Sequence, residues 1–173
     1  DDDNEIGEAV LARLEKRRDP IRLNAHYFRM MWSTLGAGSL RRCVEICDAG
    51  TDLAYRIGTL PVQYPTIKGL ALIDLGQFAE AWQALDEEIA DEEHRFGAAL
   101  QQFGRLQYEI NVGDYDAALA RAPHVINEAH ALSRVWMLGW TASLLAQLTA
   151  YPGNAGRAEQ VRSLIKTTGM DAD

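Results

Sequence analysis

Three groups of residues in this sequence have types and spacings that could do chemistry. Cys43 and Cys47 stand four apart, on one face of any helix that contains them, a spacing that could hold a metal ion or a redox pair. A metal site needs more ligands than two, and no histidine lies near them in sequence, so packing is the competing role. His124 and Glu128 are also one helical turn apart and could form a hydrogen-bonded acid-base or ligand pair. The spacing to His130 does not put that third side chain on the same face, and His26 and His94 stand alone. Gly36-Ala37-Gly38-Ser39 is a glycine-rich turn that could cradle a phosphate on free amides, but it lacks the lysine of a nucleotide-binding loop and follows no strand. No His-Glu-x-x-His, Cys-x-x-Cys or nucleophile elbow is present. The expectation is therefore no catalytic residue, no metal ligand and no cofactor.

Composition narrows the classes further. With 173 residues, 47% of them hydrophobic and 24% charged, the chain has the make-up of a globular domain that can bury a core without metal or disulfide. Its net charge of −8 disfavours nucleic acid or an anionic membrane as partner, since both demand a basic surface. Charge is unevenly spread: residues 13–57 hold nine basic and five acidic side chains, residues 58–173 eight and fifteen. A +4 stretch facing a −7 stretch favours end-to-end contact, in a homodimer or with a neighbouring domain. Residues 86–93 carry six acids in eight positions, which reads as a solvated helix face or a docking patch. No signal peptide, spanning segment or glycosylation acceptor is visible, so a reducing, cytoplasmic setting is expected. The start on Asp1-Asp2-Asp3 rather than Met suits an excerpt of a longer polypeptide or a cleaved tag.

The elements that must position these residues follow from an internal repeat. Four registers align on glycine: Gly38-x-Leu40-x-x-Cys43, Gly76-x-Phe78-x-x-Ala81, Gly113-x-Tyr115-x-x-Ala118 and Gly153-x-Ala155-x-x-Ala158, at separations of 38, 37 and 40 residues. In each, glycine supplies the left-handed turn that ends one helix, and the residue two positions on packs back against it. The small residue three further on lets the next helix approach. Four positions later stand Cys47, Leu85, Ala122 and Arg162, so the last unit is polar, as a capping unit would be. Turns and caps predict helices over 5–18, 21–35, 39–57, 62–75, 78–94, 96–112, 115–131, 134–150 and 155–168. Pro123 should kink or split the helix that holds it. No period-two alternation predicts a sheet. The implied organisation is a lead helix or linker over residues 1–19 and a helical-repeat domain over 20–173.

The segment Gly69-x-x-Leu72-x-x-x-Gly76-x-Phe78-x-x-Ala81-x-x-x-Leu85, followed by Gly113-Asp114-Tyr115-Asp116-Ala117-Ala118-Leu119, resembles the tetratricopeptide-like superfamily. The repeat is longer than that family's ~34 residues. In this respect it is similar to the helical-repeat regions that accompany nucleotide cyclase or ATPase modules in bacterial signalling proteins. The resemblance implies an all-α, right-handed array of antiparallel helical hairpins, about four pairs plus an N-terminal helix. It further implies a non-catalytic interaction or regulatory domain, as part of an adenylate or guanylate cyclase for example.

Ligands of such arrays lie along the first helices of the pairs. Polar and aromatic residues there include Tyr27, Arg29, Tyr64, Lys68, Gln101, Arg105 and Tyr108, then Trp136 and Trp140, which are four apart and make one aromatic face. Tyr64, Lys68, Gln101, Arg105, Tyr108, Trp136 and Trp140 are the expected contacts for a protein partner or a neighbouring domain of the same chain. Two further readings stand beside this one. A sensor would use the Trp136 and Trp140 face as the wall of a small-ligand pocket, and an enzyme would have only His124 and Glu128 to work with.

Overall fold

The structure, a computed structural model, describes residues 2–17, 19–86, 94–150 and 155–170. Among the described residues there are nine α-helices and no strand. They are α1 (Asp2–Arg17), α2 (Pro20–Gly36), α3 (Leu40–Arg56), α4 (Tyr64–Asp74), α5 (Phe78–Asp86), α6 (Arg95–Val112), α7 (Tyr115–Ala131), α8 (Val135–Ala150) and α9 (Ala158–Thr168), the last preceded by a 3-10 turn at Ala155–Arg157. None is long and apolar enough to cross a membrane. The chain divides into two compact units, residues 1–89 and 90–173.

The helix ends are set by one recurring device. After α2 the amide of Gly38 donates to the Leu35 carbonyl at 3.0 Å, and that of Ser39 to the Thr34 carbonyl at 2.9 Å. The same pair of bonds closes α3 at Gly58 and Thr59, α4 at Gly76 and Gln77, α6 at Gly113 and Asp114, and α7 at Ser133 and Arg134. The first residue of each pair has positive φ, which glycine adopts without a Cβ clash; Ser133, at 54°, is the one without that freedom. Two helices that follow are capped by aspartate: Asp19 Oδ1 accepts from the Arg22 amide at 3.1 Å, and Asp114 Oδ1 from the Ala117 amide at 3.2 Å.

Burial follows the repeat register. Cys43, Ala81 and Ala118 are completely buried, as are Cys47, Leu85 and Ala122 one turn later. Leu40, Phe78 and Tyr115 are half-buried over the helix they follow. In the final register Ala158 is half-buried and Arg162 exposed, while Gly153 lies outside the described residues.

In the first unit α1 lies on α2, where His26 Nε2 donates to the Gly7 carbonyl at 2.8 Å. Arg42 of α3 grips both oxygens of Glu8, at 2.7 and 2.8 Å. The α4 helix is buried along nearly its whole length and packs on α2, α3 and α5. Its close approach depends on two glycines inside helices. A Cβ on Gly50 would fall 2.4 Å from the Tyr64 ring, and one on Gly69 would fall 2.7 Å from Leu85 Cγ. In the second unit α7 contacts α6, α8 and α9, around a core that includes Leu100, Phe103, Leu106, Ile126, Met137, Leu145 and Leu148.

Pro123 does not split α7, which is helical from Tyr115 to Ala131. The proline itself faces solvent, so its ring meets no packed neighbour helix. Ala122, Val125 and Ile126, all buried, pin the turns on either side. The helix expected over 78–94 is seen as α5 to Asp86, and residues 87–93, with most of the acidic run, lie outside the described residues.

Helix propensity alone makes Gly50→Ala stabilising, because alanine is favoured by roughly 1 kcal/mol inside a helix. Here the methyl meets a buried ring, so the expected result in urea unfolding is a loss of about 1–3 kcal/mol. Gly36→Ala, with nothing within 4 Å of the added methyl, serves as control and should be neutral or stabilising.

Candidate functional site

The surface feature that departs most from an ordinary solvated helix lies in the second unit. Helix α8, Val-Trp-Met-Leu-Gly-Trp-Thr-Ala-Ser-Leu-Leu-Ala-Gln-Leu-Thr-Ala, contains no ionisable residue over its 16 positions. Its core face is Met137, Leu138, Thr141, Leu144, Leu145 and Leu148. The opposite side should be polar if it met only water. Instead it carries Gly139, Ser143 and Ala146, with Trp136 and Trp140, 38% and 46% exposed, along its edge.

The two indoles are held by aromatic contacts with α6. Phe103, fully buried, stacks beneath Trp140 with ring centroids 5.8 Å apart and an interplanar angle of 16°. Trp136 meets Trp140 edge to face at 5.5 Å, Phe103 at 6.3 Å and Phe96 at 6.5 Å. The Arg134 guanidinium covers the other aromatic end, 4.6 Å from the centre of the Phe96 ring. Offset and edge-on pairs of this kind contribute about 0.5–1.5 kcal/mol each beyond area burial, so these contacts favour the observed placement of the tryptophans.

Beside them runs an open groove of about 610 Å³, lined by Trp136, Gly139, Trp140, Ala142, Ser143, Ala146, Ile165 and Met170. Its floor is the small-residue side of α8, and its far bank is α9 with the residue that follows it. Gly169, at φ 67°, ends α9 and turns Met170 inward, to 3.4 Å from where a Gly139 Cβ would stand. Ser143 is the one hydroxyl in the lining, beside the indole N–H groups of the two tryptophans.

The other expected contact residues fall in different surroundings. Tyr64 and Lys68 belong to the first unit, the remaining five to the second. Tyr64 is only 4% exposed; its ring fills the space left by Gly50, and its hydroxyl lies 2.9 Å from both the carbonyl and the side-chain oxygen of Asn24. Burial pushes its phenol well above the ordinary tyrosine range, so it is a neutral core hydroxyl. Gln101, 6% exposed, is buried in α6. These two are therefore withdrawn from any docking surface, because the helix face that carries them is the packed one. Lys68 is half-buried and paired with Asp48 at 2.6 Å. Arg105 and Tyr108 are half-buried on α6, and Trp136 and Trp140 are the pair that the structure brings into one exposed feature.

The residues considered for chemistry are occupied otherwise. Cys43 and Cys47 are free thiols with no exposed surface, and Cys43 Sγ donates to the Met31 carbonyl at 3.4 Å. The hydrogen bond with Cys43, together with burial, pushes the Cys47 thiol up, away from the thiolate a nucleophile or ligand requires. The amides of Gly38 and Ser39 are spent on the carbonyls of α2 and do not face outward as a phosphate cradle. His124 is exposed, and Glu128 is held by Arg95 through two bonds of 2.8 and 3.0 Å. That guanidinium lowers the Glu128 carboxyl below the usual glutamate range, the hydrogen bond being the larger cause. No group of three or more His, Cys, Asp or Glu among the described residues is placed to hold a metal ion. A buried ion pair, Arg121 on α7 with Glu109 on α6, joins those helices at 2.6 Å, with Gln102 on the same guanidinium.

Reading the residues alone missed Phe96, Phe103, Arg134, Ile165 and Met170. The two phenylalanines are seven apart on α6, a stripe that could have signalled support for an aromatic face. Ile165 and Met170 carry no such signal, since only the packing of α9 on α8 makes them a bank of the groove. Compared with protein-family models, curated proteins and solved structures, the chain matches none.

The lowered Glu128 titration has a definite sign. Its contribution to stability is complete above the free glutamate value of about 4.3 and is lost as pH falls through the lowered folded value. Arg95→Ala should move the Glu128 carboxyl resonance to titrate nearer that ordinary value in NMR. The stability difference between wild type and variant should also shrink in acid.

Proposed function

We propose that this chain is a non-catalytic, tetratricopeptide-like helical-repeat module that docks a helical segment of a partner protein, or of a neighbouring domain of its own chain, in the groove between α8 and α9. The observation that carries this reading is the charge-free helix α8 with two exposed, pre-positioned tryptophans over a floor of small residues. Aromatic side chains are enriched at the cores of protein interfaces, where charged residues are depleted. The small residues let a guest helix come close, and the tryptophans supply the rigid anchors that dominate binding energy. The repeated Gly38, Gly76 and Gly113 turns with Cys43, Ala81 and Ala118 buried support the helical-repeat reading. A regulatory or assembly role in a cytoplasmic bacterial signalling protein, such as a nucleotide cyclase, is the setting that this resemblance suggests.

The groove's volume gives a second reading some footing, since small-molecule pockets commonly enclose about 300–1,000 Å³. Such pockets also bury most of their ligand and orient it by several convergent polar groups. Here the groove is open, and its side-chain polar groups are the Ser143 hydroxyl and the two indole N–H groups, with no charged side chain to orient a metabolite, which favours a helix.

A display library of random helical peptides, panned on wild-type protein and on a Trp140→Lys variant shown by circular dichroism to be folded, tests the choice. The expected outcome is enrichment of sequences with apolar residues at i, i+3 or i+4 and i+7 on wild type alone. Equal enrichment on both proteins, or saturable quenching of tryptophan emission by metabolites with no peptide selected, would overturn the docking reading.

A further inference from the structure

The charges around the groove indicate what kind of helix it takes. Its eight lining residues include no ionisable side chain, so the guest's central ridge must be uncharged. The banks, by contrast, carry cations. At the mouth of α8, Arg134 is exposed, and its guanidinium lies on Phe96, which itself touches Trp136. Along α9, Arg162 and Lys166 are both exposed and one helical turn apart, on the lines next to Ile165. Among the described residues the carboxylate of α9 is Glu159, held by Arg162 at 2.8 Å and acted on more weakly by Lys166. Arg134 and Lys166 form no salt bridge among the described residues.

From Trp136 to Ala146 the floor spans ten helical steps, or about 15 Å, the length of about three helical turns in a guest. A guest of that length lying along α8 brings its two flanks toward Arg134 at one end and the α9 cations along one side. Opposite charge there attracts, and like charge is disfavoured at close range without any contact in the apolar floor. A symmetric second copy of α8 is less suited to the site. It would bring a second Arg134 to the same aromatic group, like charge against like.

Resting on the docking reading above, we infer that the groove between α8 and α9 selects an amphipathic helix whose apolar ridge is flanked by acidic residues. Arg134 and Lys166 are the selecting cations, and Trp136 and Trp140 are the anchors.

The test uses the full chain and three synthetic helical peptides of about 15 residues that share one Leu and Phe ridge and differ in carrying Glu, Gln or Lys along the flanks. Binding is read by calorimetry and by tryptophan emission at low and high salt. The Glu peptide should bind about tenfold or more tighter than the Lys peptide, with the Gln peptide between, and its advantage should shrink as salt is raised. Arg134→Glu with Lys166→Glu should reverse the order while circular dichroism and thermal unfolding stay as in wild type. Trp140→Ala should weaken all three peptides alike. If the Gln or Lys peptide binds wild type as tightly as the Glu peptide, the acidic-flank inference fails and the docking reading stands. If no peptide binds, both fail. If the chain instead self-associates in sedimentation and Trp140→Ala abolishes that, the occupant is a second copy and the inference is overturned.

Discussion

The structure rests on how its helices stop. At Gly38, Gly58, Gly76, Gly113 and Ser133 a single residue takes left-handed φ, and two successive amides there turn back to carbonyls three and five residues earlier. Each such closure satisfies carbonyls that a helix end would otherwise leave bare, and it reverses the chain within two or three residues. After Gly38, Gly76 and Gly113 the next helix starts at once, and its fourth residue, Cys43, Ala81 or Ala118, is pressed against the helix just ended. A larger side chain at those three positions would separate the helices, because interaxial distance is set by the residues at the crossing. Turn chemistry and packing register are thus one constraint seen at two levels.

Glycines inside helices extend the same logic in the first unit. A helix interior is where glycine is least favoured, at a cost near 1 kcal/mol against alanine, yet Gly50 and Gly69 occupy such positions. The cost is offset because Tyr64 and Leu85 fill the missing Cβ volumes. Tyr64 gains a further tie through Asn24, so one residue links α4 to both α3 and α2. That is why the tyrosine expected at a docking surface is in the core.

The parts of the fold legible in the sequence are those whose causes are local. Glycine followed by a capping or bulky residue marks a helix end, and α2, α3, α4, α6, α7 and α8 agree with the turn spacing to within a residue or two, while α9 starts three residues late behind its 3-10 turn. Ser133 escaped notice because serine has no special ease in the left-handed region, and tertiary packing of Ala129 and Leu138 on either side holds it there. Pro123 leaves α7 unsplit for the related reason that buried neighbours on both sides outweigh one missing hydrogen bond. Of the site, the Trp136 and Trp140 pair was legible from its spacing on one helix. The α9 bank was not, since Ile165 and Met170 reach the groove only through helix packing and the left-handed Gly169.

The exposed tryptophans also set the strength of what can bind. Each leaves somewhat under half its surface in water, roughly 100 Å², so covering both would gain about 5 kcal/mol at ~25 cal/mol per Å². Association costs about 4–15 kcal/mol in lost freedom before any contact is counted. On the docking reading proposed above, the indole pair would therefore anchor a partner without securing it. The difference has to come from Ile165 and Met170 on the far bank, from close approach over Gly139, Ala142 and Ala146, and from charges on the rim. Because the aromatic group is already rigid, stacked on Phe103 and braced by Phe96, little of that energy is spent on ordering the site. A preformed, shallow and uncharged floor with its charges at the margins suits reversible docking, in which the rim decides which helix is accepted and the tryptophans hold it once there.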